Sequence, residues 1–185
     1  MTMNLIERKQ LKNAVERVLH VQGNYMGGIL EMAVVIDMSL SKEDASNHAK
    51  ELVNTLKTHS EVFRNVRLNT ILWKDNQDFI KEVTPLALLQ MGRFFDSYES
   101  VSVKKKWDGL LATLKKFYAR SKLIIVLTNE SEVWVENKVE AKENMQPFLH
   151  KKMIVISFRK DSEEQTENIR MQISMGTEIL MNFLR

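Results

Sequence analysis

Residues 29–41 of this chain read ILEMAVVIDMSLS. Residues 29–36 are almost continuously apolar and end in β-branched side chains, which predicts a short strand buried on both faces, as parallel strands are. The apolar run ends at Asp37, and two hydroxyl side chains follow at alternate positions, Ser39 and Ser41. Since ligands of open α/β sheets bind beyond the carboxyl ends of the strands, this loop is the first place where we expect a functional site.

The rest of the chain alternates between helical and strand patterns. Apolar side chains at helical spacing predict helices over residues 5–19, 41–59, 86–95, 107–120 and 137–149, and from about residue 162 to the C-terminus. Short apolar or alternating runs predict further strands over residues 66–73, 79–83, 122–128 and 153–158. Helices that alternate with buried strands indicate an α/β fold, with a mostly parallel sheet covered by helices on both faces.

Glycines divide the chain near its start. Gly23, Gly27 and Gly28 end the first helical pattern, so we expect residues 1–28 to form a helical extension outside the core and residues 29–185 to form the domain. The extension would pack on the outside or mediate assembly. One face of the last predicted helix would carry Ile169, Ile173, Leu180 and Leu184.

Composition narrows the class of protein. Hydrophobic residues make up 44% and charged residues 28% of the 185 residues, which is ordinary for one globular domain. There is no cysteine, and the spacing of the four histidines matches no zinc motif. Charged residues precede any long apolar run, and no stretch of about 18 apolar residues occurs. We therefore expect a cytoplasmic protein.

The spacing Asp37-x-Ser39-x-Ser41 resembles the metal-ion-dependent adhesion site of von Willebrand factor A (vWA) domains. Residues 124–130 read IIVLTNE and are similar to the family's strand that ends in Thr-Asp-Gly, with Asn129 in the place of the aspartate. The likeness in the order of elements runs from about residue 30 to the C-terminus. It implies a vWA-like, Rossmann-like three-layer architecture, in which the five strands, counted along the chain, lie in the order 3-2-1-4-5 and strand 3 is antiparallel.

The resemblance also implies a metal site. The residues that would hold Mg²⁺ or Mn²⁺ are Asp37, Ser39, Ser41 and Asn129. An acidic residue of a partner protein would complete the coordination. The family's threonine has no counterpart in the loop before the helix at residue 107, where Ser100 or Ser102 would have to supply the hydroxyl. One carboxylate in place of two predicts weak or absent metal binding, because affinity for hard cations follows ligand charge.

The same loop also has a purely local interpretation. Ser41 followed by Asp44 resembles a helix-capping pair, and Ser39 fits a turn. Residues 104–106 are three lysines that precede a helix, where cations interact unfavourably with the helix dipole. Either one lysine ammonium lies beside Asp37 and replaces the charge of the metal, or the run is simply solvated.

Protein–protein interaction, as an adaptor in the cytoplasm, is the expected function. The residues expected to contact the partner are Lys104, Trp107, Glu130 and Trp134. Nucleic-acid binding through a basic face is an alternative, although a net charge of +3 is a weak signal. A phosphotransfer enzyme that uses Asp37 is a further alternative, but Ser39 stands where such an enzyme needs a second carboxylate.

Overall fold

The computed structural model of the chain describes residues 4–21, 30–57, 66–84, 93–129, 133–148, 152–160 and 169–175. Its α-helices are α1 (Leu5–Val21), α2 (Lys42–Lys57), α3 (Trp107–Tyr118) and α4 (Lys138–Met145). Its strands are β1 (Leu30–Asp37), β2 (Val66–Trp73), β3 (Phe79–Val83), β4 (Lys105–Lys106), β5 (Leu123–Thr128), β6 (Val133–Trp134), β7 (Lys152–Lys160) and β8 (Ile169–Met175). Short 3-10 turns cover Arg93–Phe95 and Gln146–Phe148.

The described strands form a six-stranded sheet in the order β3-β2-β1-β5-β7-β8. The four inner strands run parallel, and β3 and β8 are antiparallel to their neighbours. The predicted α/β class, the order of the five predicted strands and the antiparallel direction of the third are confirmed. The carboxyl ends of β1 and β5 lie side by side at one end of the sheet, with Ile36 opposite Leu127.

Helices cover both faces of the sheet, because the apolar strands carry side chains for two cores. On β1, Met32, Val34 and Ile36 pack with α1 and α2 on one face. Ala33 and Val35 pack with α3 and α4 on the other. Successive side chains of a strand point to opposite faces, so a continuous apolar run is what a strand covered on both sides requires.

Helix α1 belongs to the first of these two cores. Leu11 and Val15 are fully buried there, in the same cluster as the side chains of α2 and β1. The expectation that this helix lies outside the core is therefore wrong for these residues. The domain boundary at residue 28 stays a prediction.

The predicted C-terminal helix is wrong where the structure describes it. Residues Ile169–Met175 form β8, which pairs antiparallel with β7. A spacing of four residues, as between Ile169 and Ile173, fits one face of a helix and also one face of a strand, so the pattern is ambiguous. Leu180 and Leu184 lie outside the described residues. Of the helix predicted over residues 86–95, the described part is the 3-10 turn Arg93–Phe95.

A second, two-stranded parallel sheet lies outside the main one. It pairs β4 with β6, with Lys105 opposite Val133 and Lys106 opposite Trp134. Because β6 follows β5 and β4 precedes α3, this sheet joins the segment after β5 to the segment before α3. Within the described ranges, no helix has the length and apolar character needed to cross a bilayer.

Candidate functional site

A buried ion pair lies at the carboxyl end of β1. Nζ of Lys105 is 2.8 Å from Oδ1 of Asp37, and both side chains are 0% exposed. The hypothesis that a lysine ammonium lies beside Asp37 is confirmed. The other two lysines of the run behave differently: Lys104 is exposed, and Lys106 forms an ion pair with Glu136 at the surface.

The carboxylate of Asp37 is engaged at both oxygens. The backbone N–H of Ser39 donates to Oδ1 at 2.9 Å, and the hydroxyl of Thr128 donates to Oδ2 at 2.8 Å. The ammonium of Lys105 also donates to the backbone oxygen of Val103 at 3.1 Å. These contacts meet the requirement that a buried charge be both paired and hydrogen-bonded.

The extended backbone before α3 turns Lys105 inward. Lys106 has φ −112° and ψ 137°, so the side chains on either side of it, Lys105 and Trp107, point the same way. Trp107 is fully buried, and the intervening N–H of Lys106 donates to Oδ1 of Asn76 at 2.6 Å. Sequence reasoning did not say which of the three lysines would lie beside Asp37, although the two-residue spacing from Lys105 to a core tryptophan is a usable signal. It also missed Thr128 and Tyr98.

The side chain of Tyr98 connects the loop before β4 to the loop after β1 by hydrogen bonding. Its hydroxyl donates to the backbone oxygen of Leu40 at 2.9 Å and lies 3.4 Å from the backbone oxygen of Asp37. Burial, with the nearby charge of Asp37 as a smaller cause, raises the pKa of Tyr98. Ser100 adds a hydrogen bond from its hydroxyl to the backbone oxygen of Met38 at 3.2 Å.

The side chains that were predicted to hold a metal have separate contacts and environments. The hydroxyl of Ser41 accepts the backbone N–H of Asp44 at 3.1 Å, so the capping interpretation is confirmed for Ser41. The hydroxyl oxygen of Ser39 is buried and has no hydrogen-bond partner. Asn129 is half-buried directly after β5, and Ser102 is exposed. Ser100 contacts the loop after β1 through the backbone oxygen of Met38, not through Asp37.

A divalent cation does not fit these donors as they stand, because Lys105 already neutralises the carboxylate of Asp37. A divalent ion at about 4 Å from the ammonium would be repelled by on the order of 8 kcal/mol at an effective dielectric of about 20, twice the value for two unit charges. That repulsion exceeds the roughly 4 kcal/mol of binding free energy in a millimolar site. Among the described residues, no group of three or more His, Asp or Glu side chains is placed to hold a metal.

The residues predicted to contact a partner have different environments. Trp107 is 0% exposed and packs on Trp73 with ring centroids 5.7 Å apart, so its assignment to a contact surface is wrong. The ring of Trp107, at the start of α3, packs in the core. Trp134 is 37% exposed and Lys104 is exposed, as a contact role requires. Glu130 lies outside the described residues.

No family model matches this chain, and a sequence search among curated proteins finds no match. The resemblance to vWA domains therefore stays a prediction, whereas the α/β fold with its mostly parallel sheet is shown.

Proposed function

We propose that this chain is a protein–protein interaction module of the vWA type, which acts in the cytoplasm through the carboxyl end of its sheet. The proposed contact surface consists of Val103, Lys104 and Trp134, and we call it the edge surface. The pairing of β4 with β6 brings the segment of Val103 and Lys104 beside that of Trp134. Val103 and Trp134 are each 37% exposed.

The observation that supports this proposal is an exposed tryptophan held on a rigid support. Tryptophan is enriched among the residues that dominate binding energy at protein interfaces. Behind Trp134, the β4–β6 pairing and the buried pair of Lys105 with Asp37 restrict the backbone, which lowers the entropy cost of binding. Lys104 adds a positive charge, so a partner with a carboxylate beside an apolar pocket fits this surface.

The environment of Asp37 supports a binding function over phosphotransfer. A nucleophilic carboxylate must reach its substrate, and Asp37 is 0% exposed with both oxygens engaged. Nucleic-acid binding through a basic face stays an alternative. It predicts retention on heparin that falls steeply with salt, because phosphate contacts release counterions.

The test is an affinity capture with matched variants. The purified full chain is immobilised and exposed to lysate of its source, and captured proteins are identified by mass spectrometry. Trp134→Ala and Lys104→Glu alter the edge surface. Phe117→Ala is the matched control, because Phe117 is 52% exposed but lies at the other end of α3.

We expect one defined protein to be captured by the wild type and by Phe117→Ala. Trp134→Ala should weaken its binding about tenfold or more, as the loss of an interface tryptophan typically does. Lys104→Glu should slow association and reduce its dependence on salt. Equal capture by all four chains would contradict the proposed surface, and retention of nucleic acid alone would favour the alternative.

A further inference from the structure

The end of the Lys105 side chain lies where oxygen atoms converge. Its ammonium contacts Oδ1 of Asp37 at 2.8 Å and the backbone oxygen of Val103 at 3.1 Å. Thr128 donates its hydroxyl to the other carboxylate oxygen, and Ser39 donates its N–H to the first. The hydroxyl of Ser39 is buried without a hydrogen-bond partner. A carboxylate, two hydroxyls and a carbonyl are the donor types that a hard cation takes in proteins.

We infer that the ammonium of Lys105 is the resident cation of this site, so that a divalent ion binds at Asp37 only when the charge of the lysine is removed. The inference explains why a loop with the oxygen donors of a metal site does not accommodate a divalent ion. The loop after β1 has the spacing of a metal site, but the positive charge beside Asp37 is supplied by Lys105 of the same chain. It also gives a role to the unpartnered hydroxyl of Ser39, which is available as an oxygen ligand for the metal ion.

The position of the lysine depends on structure outside the loop that it neutralises. Lys105 is in β4, which is held by its pairing with β6 and by the hydrogen bond from Lys106 to Asn76. Removing the side chain of Lys105 therefore opens space beside Asp37 while these backbone contacts stay in place. Lys105→Ala removes both the charge and the volume of the side chain. Lys105→Ser does the same and adds an oxygen donor.

The experiment uses Mn²⁺ alone as the probe on the chelator-treated full chain. Binding is measured by calorimetric titration, and the melting temperature is measured with and without Mn²⁺. The chains compared are the wild type, Lys105→Ala, Lys105→Ser and the double variant Asp37→Ala/Lys105→Ala. The double variant is the matched control, because it has the same opening but lacks the carboxylate.

We expect no saturable Mn²⁺ binding by the wild type and saturable binding by Lys105→Ala and Lys105→Ser. The melting temperature of these single variants should rise by about 5–10 °C at a hundredfold excess of Mn²⁺ over the Kd. The double variant should show neither effect. A single variant that is unfolded without metal should regain its helical circular dichroism when Mn²⁺ is added.

Two results would overturn the inference. One is saturable Mn²⁺ binding by the wild type that is lost in the double variant Asp37→Ala/Lys105→Ala, since the resident ammonium should prevent binding to the wild type. The other is the absence of any response to Mn²⁺ in both single variants. The titration needs no partner protein, so its result is independent of whether the proposed function holds.

Discussion

The backbone oxygen of Asn76 lies against the first turn of α3, so that a Cβ added to Gly109 would stand 2.1 Å from it. Asn76 belongs to the turn between β2 and β3, and its side chain also accepts the N–H of Lys106 at 2.6 Å. The turn therefore contacts the chain on both sides of Trp107. This close approach fixes the start of α3, and with it the strand that carries Lys105.

Gly109→Ala should destabilise the protein, although alanine normally favours a helix by about 1 kcal/mol over glycine. The new methyl group would overlap a backbone atom, which cannot rotate away, and we expect a net loss of about 1–3 kcal/mol in the free energy of unfolding. Urea denaturation measures the change. Thr113→Ala in the same helix is the control and should stay within about 0.5 kcal/mol of the wild type. A Gly109→Ala protein as stable as the wild type would refute the predicted clash.

Removing both partners of the buried pair should cost less stability than the two single losses added together. Asp37→Asn leaves the ammonium of Lys105 uncompensated, and Lys105→Met leaves the carboxylate uncompensated. Each should lower the free energy of unfolding by about 3–5 kcal/mol. The double variant Asp37→Asn/Lys105→Met has neither of these buried charges. Its loss of stability should therefore be smaller than the sum of the two single losses by about 1–3 kcal/mol. Strictly additive losses in urea denaturation would show that the two charges do not interact.

The two serines after Asp37 should respond differently to the same substitution. Ser41→Ala removes the hydroxyl that accepts the N–H of Asp44 at the start of α2 and should cost about 1 kcal/mol of stability. Ser39→Ala removes a buried hydroxyl that has no partner and should be neutral or stabilising. Thermal unfolding of the two variants in metal-free buffer makes the comparison. A larger loss in Ser39→Ala than in Ser41→Ala would contradict it.

The stability of the protein should fall in mild acid because of His48. Burial lowers the pKa of His48 from 6.5 to about 4, and the opposing charge of Asp44 only partly offsets this. Between these two values the unfolded chain binds a proton that the folded chain does not. The stability from the neutral imidazole is therefore complete above pH 6.5 and is lost progressively as the pH falls towards 4.

We expect His48 to account for about 2 kcal/mol of lost stability between pH 7.5 and pH 5. Urea denaturation of the wild type and of His48→Leu at both pH values isolates this contribution, since leucine does not titrate. The wild type should lose about 2 kcal/mol more than the variant does. Equal losses in the two proteins would mean that the imidazole titrates alike in the folded and unfolded chains.

The fold was predictable to the extent that local patterns were unambiguous. The apolar run that ends in Asp37 predicted β1, and the alternation of helices and strands predicted the layered α/β architecture. The pattern around Ile169 and Ile173 failed because a four-residue spacing suits a helix and a strand equally. Trp107 was misjudged for a related reason: sequence places a tryptophan at the start of α3 but does not say which way its ring points.

The site was predictable only in part. Asp37 was identified from its place after a buried strand, and one of three lysines was considered as its partner. The sequence by itself determined where the carboxylate would be, because side-chain periodicity and burial along one strand are local properties. Only the tertiary structure decided that Lys105 pairs with it, since that choice depends on β4 lying beside β6 and on the contact of Lys106 with Asn76. The partner of a buried charge is set by distance through space, and the position of a residue along the chain does not determine that distance.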